Sequence, residues 1–309
     1  MFFSWFNVGI GFLGLWLGAE WLVKGSVSIA ARLRVSKIVI GLTVVAFATS
    51  APELAVSLTA AFRGNPTIAM GNVVGSNVCN ILLILGGSAL FSIVPVGEKS
   101  LRREFPVLFA ATAAIWGLIM DGEIGRGDGL LLVSAFFFVL GGSVYLEKRE
   151  RREAEPEVES GFSVGIGLLV AGVGLAALLF GANRFLAGAV AIARHVGISE
   201  RVIGLTLVAV GTSLPEVATS VAASIRKESD IILGNVVGSN IFNLLNILGF
   251  TALFHPFSVE KKIVFLDYPL MLVITLVLWL TVLRKRRVGR KTGGVMLAGY
   301  LLYVFFLMR

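Results

Sequence analysis

Ten apolar segments, each about as long as a membrane-crossing helix, divide this sequence. A helix needs about 20 apolar residues to cross the hydrocarbon core of a bilayer. The chain of 309 residues is 56% hydrophobic and only 15% charged, which leaves too little polar surface for a soluble globule. The pattern therefore predicts an all-α membrane protein with ten transmembrane helices. The predicted segments are residues 5–23, 38–61, 67–94, 105–120, 129–146, 164–186, 200–223, 231–254, 264–283 and 292–308.

Most Lys and Arg residues between the segments lie in the loops that follow the odd-numbered segments. The loop after the ninth segment, for example, contains four consecutive basic residues at 284–287. Short loops rich in Lys and Arg stay on the cytoplasmic side of a membrane. We therefore expect a multi-pass protein of the cell membrane, with both termini outside and residues 147–163 in the cytoplasm. The same clustering explains the net charge of +8 without nucleic-acid binding.

Two blocks of sequence occur twice, at a constant spacing of 163 residues. The block "GLTVVAFATSAPE" (41–53) matches "GLTLVAVGTSLPE" (204–216) at nine of 13 positions. The block "GNVVGSNVCN" (71–80) matches "GNVVGSNIFN" (234–243) at eight of ten positions. Such long, equally spaced matches indicate an internal duplication.

The duplication divides the chain into two halves of five segments each. The halves are residues 1–146 and 164–309, and the charged stretch 147–163 joins them as a cytoplasmic linker. Because five is an odd number, the second half enters the membrane from the opposite face. The sequence therefore predicts two inverted-topology repeats of five helices, an architecture that is typical of transporters.

Each copy of the first block places a glutamate directly after a proline, inside an apolar segment. Proline lacks an N–H group and clashes with the carbonyl four residues before it, so a helix breaks or kinks there. We expect breaks near residues 46–49 and 209–212, with freed carbonyls that line a cavity. A charged carboxylate in the middle of a bilayer costs about 2.5 to 3.5 kcal/mol. Glu53 and Glu216 therefore need a compensating charge.

Each copy of the second block places asparagine, serine and glycine residues in the third or the eighth segment. Polar side chains are costly against lipid, and glycines allow helices to pack closely or to unwind. We expect these polar residues to converge on Glu53 and Glu216. The helical stretches that carry the blocks offer no Lys or Arg as a partner, so a mobile cation is the expected counter-charge. An all-oxygen site with two carboxylates suits hard cations and favours Ca²⁺ over Mg²⁺.

Both doubled blocks resemble the two alpha-repeats of the sodium/calcium exchanger family, within the cation/calcium antiporter superfamily. The resemblance covers nearly the whole chain and fits the compact ten-helix form of prokaryotic-type members. It implies that broken helices 2, 3, 7 and 8 form a central ion site, with no cofactor. It also implies that Glu53 and Glu216 bind Ca²⁺ and share Na⁺ with it. The other implied ligands are Thr49, Thr212, Ser50, Ser213, Ser76, Ser239, the carbonyls of Ala46 and Ala209, and Asn80 and Asn243.

The chain departs from some members of that family at Asn243. Potassium-dependent relatives carry an aspartate at this position, whereas here both Asn80 and Asn243 are neutral. The central charge is therefore limited to two carboxylates, and potassium dependence is not expected. Protons should compete with metal ions for the two carboxylates, so we expect acidification to inhibit exchange.

The shared carboxylates suggest a mechanism of antiport. If one Ca²⁺ or a group of Na⁺ ions must neutralise the same two groups, their occupancy is mutually exclusive and the empty site cannot cross the membrane. The resemblance implies that the glycine-rich first and sixth helices slide across the other eight. Their glycines offer two interpretations, a smooth sliding face or ordinary close helix packing. The glycines concerned are Gly11, Gly14, Gly18, Gly174 and Gly181.

Two other transport functions fit the same residues. A proton/calcium exchanger would use the same fold and carboxylates but a pH gradient, and a passive cation channel would conduct without a gradient of a second ion. No nucleophile with a placed base is visible in the sequence, which argues against an enzyme. We expect a protein that acts as a monomer in the lipid bilayer, with Ca²⁺ and Na⁺ as its substrates and no nucleic-acid partner.

Overall fold

A computed structural model of the chain describes residues 1–33, 35–64, 66–151, 162–198 and 209–307. These residues are almost entirely helical, as the apolar segments predict. We number the helices in chain order as α1 Phe2–Leu33, α2 Lys37–Thr49, α3 Ala51–Phe62, α4 66–91, α5 Glu98–Asp121, α6 Arg126–Arg151, α7 Val164–His195, α8 Ala209–Thr212, α9 Leu214–Ile225, α10 Ser229–Phe254, α11 Ile263–Lys285 and α12 Arg290–Leu307. The short strands are β1 Val94–Pro95, β2 Glu123–Ile124, β3 Phe257–Ser258 and β4 Arg287–Val288.

Seven of the described helices are long and apolar enough to cross a membrane, namely α1, α4, α5, α6, α7, α10 and α11. The bent pair α2 and α3 makes an eighth candidate if it is counted as one span. Outward faces of these helices carry large exposed apolar side chains such as Phe12, Phe138 and Leu169. Continuous apolar surface of this kind suits lipid and not water. The chain is therefore an all-helical membrane protein.

The helices differ from the predicted segments mainly in length. Helices α1 and α7 are each 32 residues long, whereas the apolar segments 5–23 and 164–186 are shorter. Apolar length marks only the part of a helix that crosses lipid, and backbone hydrogen bonding continues beyond it. Residues 200–208 of the seventh predicted segment and most of the predicted linker 147–163 lie outside the described ranges.

Helix α10 forms the centre of the fold. The stretch of α10 that is long and apolar enough to cross a membrane is completely buried by other parts of the protein. A helix that is buried on all sides needs no polar face toward water, and its polar residues must find partners inside the protein. Buried Asn235, Asn240, Asn243 and Asn246 all lie on it. Helix α10 thus places polar side chains inside the protein, among the buried apolar residues of the core.

The third and eighth predicted helices are not broken, which corrects the expectation for helices 3 and 8. They correspond to α4 and α10, and each continues through one π-helical turn, at Asn80–Leu85 and at Phe242–Ile247. A π turn admits an extra residue into a helix while its backbone groups stay hydrogen-bonded. The direction of the polar side chains can therefore change without a break in the helix.

Helices α1 and α7 pack against each other along most of their length. A Cβ atom added at Gly14 would lie 2.8 Å from the Gly181 Cα atom, and one at Gly18 would lie 2.4 Å from the Leu178 amide nitrogen. Small residues allow this close approach between membrane helices. Gly11 and Gly174 likewise face the partner helix. These glycines therefore lie at the close contact between α1 and α7, as the packing interpretation predicts.

Two small antiparallel ladders connect the halves of the chain near the ends of the helices. Strand β1 pairs with β4, with Val94 opposite Val288. Strand β2 pairs with β3, with Ile124 opposite Phe257. Each ladder joins a strand of the first half to a strand of the second, so the loops of the two halves are held together.

Candidate cation-binding site

Both proline-containing segments break at a serine. Ser50 separates α2 from α3 with φ −84° and ψ 6°, and Ser213 separates α8 from α9 with φ −89° and ψ 7°. Helices α2 and α3 bend by 46° at this point. The break lies just after the predicted range 46–49, because the Ser50 amide still donates to Ala46 O at 3.0 Å. Pro52 then falls in the first turn of α3, where a missing N–H costs little.

The two breaks bring Glu53 and Glu216 into one buried place. Each glutamate lies in the first turn of its helix and is 1% exposed. The Ser213 hydroxyl donates to Glu53 Oε1 at 3.2 Å, and the Ser50 hydroxyl donates to Glu216 Oε1 at 3.0 Å. Each half of the chain therefore supplies the hydrogen-bond donor for the carboxylate of the other half.

Both carboxylates retain an oxygen without a partner. Glu53 Oε2 and Glu216 Oε2 are buried and accept no hydrogen bond. Within the described ranges, neither carboxylate forms an ion pair with a Lys or an Arg. Buried polar atoms are normally paired, so these two carboxylate oxygens are exceptions among the described residues. Their geometry leaves both free to contact a further group such as a cation.

The two predicted threonines lie beside the carboxylates. Thr212 is next to Glu53, and Thr49 is next to Glu216. Thr49 is fully buried, and its hydroxyl lies 3.1 Å from Val45 O and 3.4 Å from Ala46 O. These carbonyls can only accept, so the Thr49 proton points toward an acceptor and its oxygen keeps lone pairs for a further partner.

Four buried asparagines of α4 and α10 form a hydrogen-bonded layer between the two halves of the chain. Asn80 Nδ2 donates to Asn240 Oδ1 at 2.9 Å, and Asn243 Nδ2 donates to Asn77 Oδ1 at 3.4 Å. Asn80 Oδ1 and Asn243 Oδ1 are buried without partners. The layer thus joins the two halves and leaves two neutral oxygens available to a cation. Asn80 lies in the π turn of α4 and Asn243 in that of α10.

The remaining predicted ligands are less closely defined. Ser76 and Ser239 are buried on α4 and α10, and Ser239 Oγ has no partner. The carbonyl of Ala46 accepts the Ser50 amide and also lies 3.4 Å from the Thr49 hydroxyl. Ala209 is the first described residue of α8. In that half the Ser213 amide donates to Val210 O, so the backbone of the two breaks is not identical.

Asn72 and Asn235 belong to the polar residues of the second block that were expected to converge on the glutamates, but the sequence did not indicate how they support the carboxylate helices from behind. Asn72 and Asn235 donate to the backbone carbonyls of Glu53 and Glu216. They also donate to two serines, Ser57 and Ser220, which lie one helical turn after the glutamates. The sequence did contain a signal for this role, because the duplication preserves both the asparagine and the serine in each half of the chain.

The chemistry of the site is that of oxygen ligands around two negative charges. The described residues contain no cluster of three or more His, Cys, Asp or Glu side chains that could hold a metal ion. Carboxylate, hydroxyl and amide oxygens are the ligands that suit hard cations such as Na⁺ or Ca²⁺.

The chain is similar to several known proteins. The family described as sodium/calcium exchanger protein matches residues 3–145 and 166–309. The inner membrane protein YrbG of Escherichia coli (strain K12) is 32% identical over 307 residues, covering 96% of this chain and 94% of YrbG. The sodium/calcium exchanger MaX1 of Methanosarcina acetivorans is 32% identical over 339 residues, covering 96% of both chains.

A solved structure has the same fold. The sodium-calcium exchanger NCX_Mj, soaked with 10 mM Na⁺ and 10 mM Sr²⁺, superposes with a TM-score of 0.87 at 34% sequence identity. The match covers 98% of each chain. The similarity therefore extends over the helices that carry the candidate site and over the rest of the described bundle.

Proposed function

Because the chain belongs to the sodium/calcium exchanger protein family, we propose that it is a secondary active antiporter that exchanges Na⁺ for Ca²⁺ across the membrane. The observation that carries this proposal is the buried pair Glu53 and Glu216, each hydrogen-bonded by a serine of the other half. Both retain an unpartnered oxygen. The names of the similar exchangers MaX1 and NCX_Mj support the same pair of ions.

Electrostatics makes the two ions alternative occupants of one site. Two buried carboxylates carry a charge of −2, which one Ca²⁺ or two Na⁺ ions can neutralise. Each uncompensated carboxylate costs about 2.5 to 3.5 kcal/mol at the centre of a bilayer. Movement of the empty site across the membrane is therefore unfavourable, whereas movement of the site with either kind of ion is not. Coupled exchange follows from this difference.

The proposed ligands are the predicted ones. Glu53 and Glu216 bind Ca²⁺ with Thr49 and Thr212 beside them, and the serine hydroxyls and the Ala46 and Ala209 carbonyls extend the set for Na⁺. Asn80 and Asn243 contribute neutral oxygens at the centre. The orphaned buried oxygens of Glu53, Glu216, Asn80, Asn243 and Ser239 support this set.

The proposed architecture has ten spans in two inverted repeats of five. The candidate helices, the crossed serine–glutamate pairs and the two ladders between the halves support it. Alternating access then requires one part of the protein to move relative to another. Helices α1 and α7 are the candidate moving part, because their glycines pack them tightly into a pair.

The proposed orientation follows the distribution of basic residues. Both termini lie outside the cell membrane, and residues 147–163 lie in the cytoplasm.

One chain contains both carboxylates and their donors, which supports function as a monomer.

The decisive experiment is exchange in vesicles that contain only the purified protein. Uptake of ⁴⁵Ca²⁺ is measured with an outward gradient of Na⁺, of K⁺ or of H⁺, each tested separately. We expect uptake driven by the Na⁺ gradient alone. Uptake driven by the H⁺ gradient alone would establish the proton/calcium exchanger instead, and gradient-independent flux would establish a channel. Glu53→Gln and Glu216→Gln should each abolish uptake, because one carboxylate cannot neutralise Ca²⁺.

A further inference from the structure

Asn72 lies on α4 and reaches the helix that carries Glu53. Its Nδ2 group donates to the backbone carbonyl of Glu53 at 3.1 Å and to the Ser57 hydroxyl at 2.9 Å. The two contacts occupy both amide hydrogens. Asn72 thus ties α4 to the first two turns of α3, directly behind the carboxylate.

Asn235 repeats this arrangement in the second half and is completely buried. Its Nδ2 group donates to the Glu216 carbonyl at 3.3 Å and to the Ser220 hydroxyl at 2.9 Å. Its orientation is determined by chemistry, because the Glu216 carbonyl can only accept and would repel the amide oxygen. Asn235 Oδ1 must therefore point the other way, and there it meets Thr49 of the first half.

The contact with Thr49 links the two halves behind the ion site. Asn235 Oδ1 lies 3.1 Å from the Thr49 hydroxyl and can only accept from it. The single Thr49 proton is shared between this oxygen and the carbonyls of Val45 and Ala46, all of which are acceptors, so the lone pairs of the hydroxyl stay available. Asn235 therefore holds the second carboxylate helix through its amide hydrogens and contacts one hydroxyl of the first half through its amide oxygen.

We infer that Asn72 and Asn235 are positioning residues, which hold Glu53, Glu216 and Thr49 in the geometry that receives Na⁺ or Ca²⁺ without contacting the ion. The inference deepens the proposed exchange function and rests on it. Hydrogen-bond partners of metal ligands typically change metal affinity by roughly 10- to 100-fold when they are mutated. Asn72 and Asn235 should therefore act on affinity more than on the amount of folded protein.

The test compares Asn72→Ala and Asn235→Ala with Asn183→Ala. Asn183 is an exposed amide of α7 that donates to Leu179 O at 3.1 Å, so it is a matched control in a membrane helix. Binding of ⁴⁵Ca²⁺ to purified protein, and its displacement by Na⁺, give affinities without transport. We expect roughly 10-fold weaker affinity for both ions in the two test variants, and unchanged affinity in Asn183→Ala.

Exchange in vesicles provides the second measurement. A positioning role raises the KM for Ca²⁺ while the maximal rate is largely kept, whereas a general structural role lowers the yield of folded protein and the maximal rate at unchanged KM. Unchanged affinities in folded variants would overturn the inference. Asn72 is partly exposed, so Asn72→Ala leaves a smaller buried cavity and decides the question if Asn235→Ala does not fold.

The failure of this inference is distinguishable from failure of the proposed function. If the wild-type protein exchanges Ca²⁺ for Na⁺ and both asparagine variants keep its affinities, only the inference is wrong. If the wild-type protein neither binds nor exchanges Ca²⁺, the proposed function is wrong and the inference is wrong with it.

Discussion

The Ser50 hydroxyl donates a 3.0 Å hydrogen bond to Glu216 Oε1, from the break in one half of the chain to the carboxylate of the other. Its counterpart is the 3.2 Å bond from Ser213 to Glu53. Neither half therefore holds a complete site, because each carboxylate depends on the opposite half for its donor. A cation that binds both carboxylates also binds the two halves to each other.

Ser50→Ala and Ser213→Ala should weaken cation binding to a similar degree. Each removes a hydroxyl bonded to a buried carboxylate, and a hydrogen bond to a charged group contributes about 1.5 to 3 kcal/mol. We expect the apparent affinity for Na⁺ to fall roughly 10-fold or more in each variant, measured from the Na⁺ dependence of exchange. Ser92→Ala is the control, because Ser92 bonds only at an exposed helix end. Wild-type Na⁺ affinity in both site variants would contradict the crossed arrangement.

Exchange should slow as the pH falls. A proton bound to Glu53 or Glu216 removes one of the two charges that balance the cation, so protons and metal ions compete. Rates of Na⁺-driven ⁴⁵Ca²⁺ uptake, measured between pH 8 and pH 5, should be lower on the acid side and recover with higher Ca²⁺. A rate at pH 5 equal to the rate at neutral pH would show that protons and metal ions do not compete for the two carboxylates.

Bulk introduced between α1 and α7 should destabilise the protein. In Gly18→Val the new Cβ would lie 2.4 Å from the Leu178 amide nitrogen, which is backbone and cannot turn aside. Overpacking of this kind typically costs about 1 to 3 kcal/mol. We expect a lower thermal midpoint in detergent, measured by intrinsic fluorescence during heating. Gly9→Ala, on the same helix, has open space around its Cβ position and should melt at or above the wild-type temperature.

A cross-link between α1 and the end of α9 should stop exchange if α1 moves. Glu20 of α1 forms an ion pair with Arg226, the residue that follows α9. Cysteines at these two positions can be joined by a short thiol-reactive cross-linker, and the natural Cys79 is buried away from it. We expect cross-linked protein to bind ⁴⁵Ca²⁺ but not to exchange it. Full exchange after complete cross-linking would exclude movement of α1 relative to α9.

Single substitutions provide the control for that experiment. The Glu20–Arg226 pair is about one-third exposed, so its loss should change stability by less than about 1 kcal/mol. Glu20→Cys and Arg226→Cys alone, treated with the same reagent, should therefore exchange normally. Inhibition of the single variants would point to damage by the reagent and not to restricted motion.

Much of this protein could be predicted from patterns along the chain. Apolar length predicted an all-helical membrane protein, and the duplicated proline and glutamate predicted buried carboxylates at helix breaks. These features are local, because the bilayer sets the length of a helix and proline acts on its own turn. The family resemblance also came from the doubled blocks alone.

Other features depended on contacts between residues distant in sequence. Three contacts each join the two halves. They are the hydrogen bond from Ser50 to Glu216, the contact between Asn235 and Thr49, and the packing of α1 against α7. The π turns of α4 and α10, where broken helices were expected, are also decided by packing, since π and α turns suit similar sequences. The sequence alone determined which residues had to leave the lipid, because that cost belongs to each side chain. Only the tertiary structure decided which oxygens meet, because a hydrogen bond depends on the position of two groups at once.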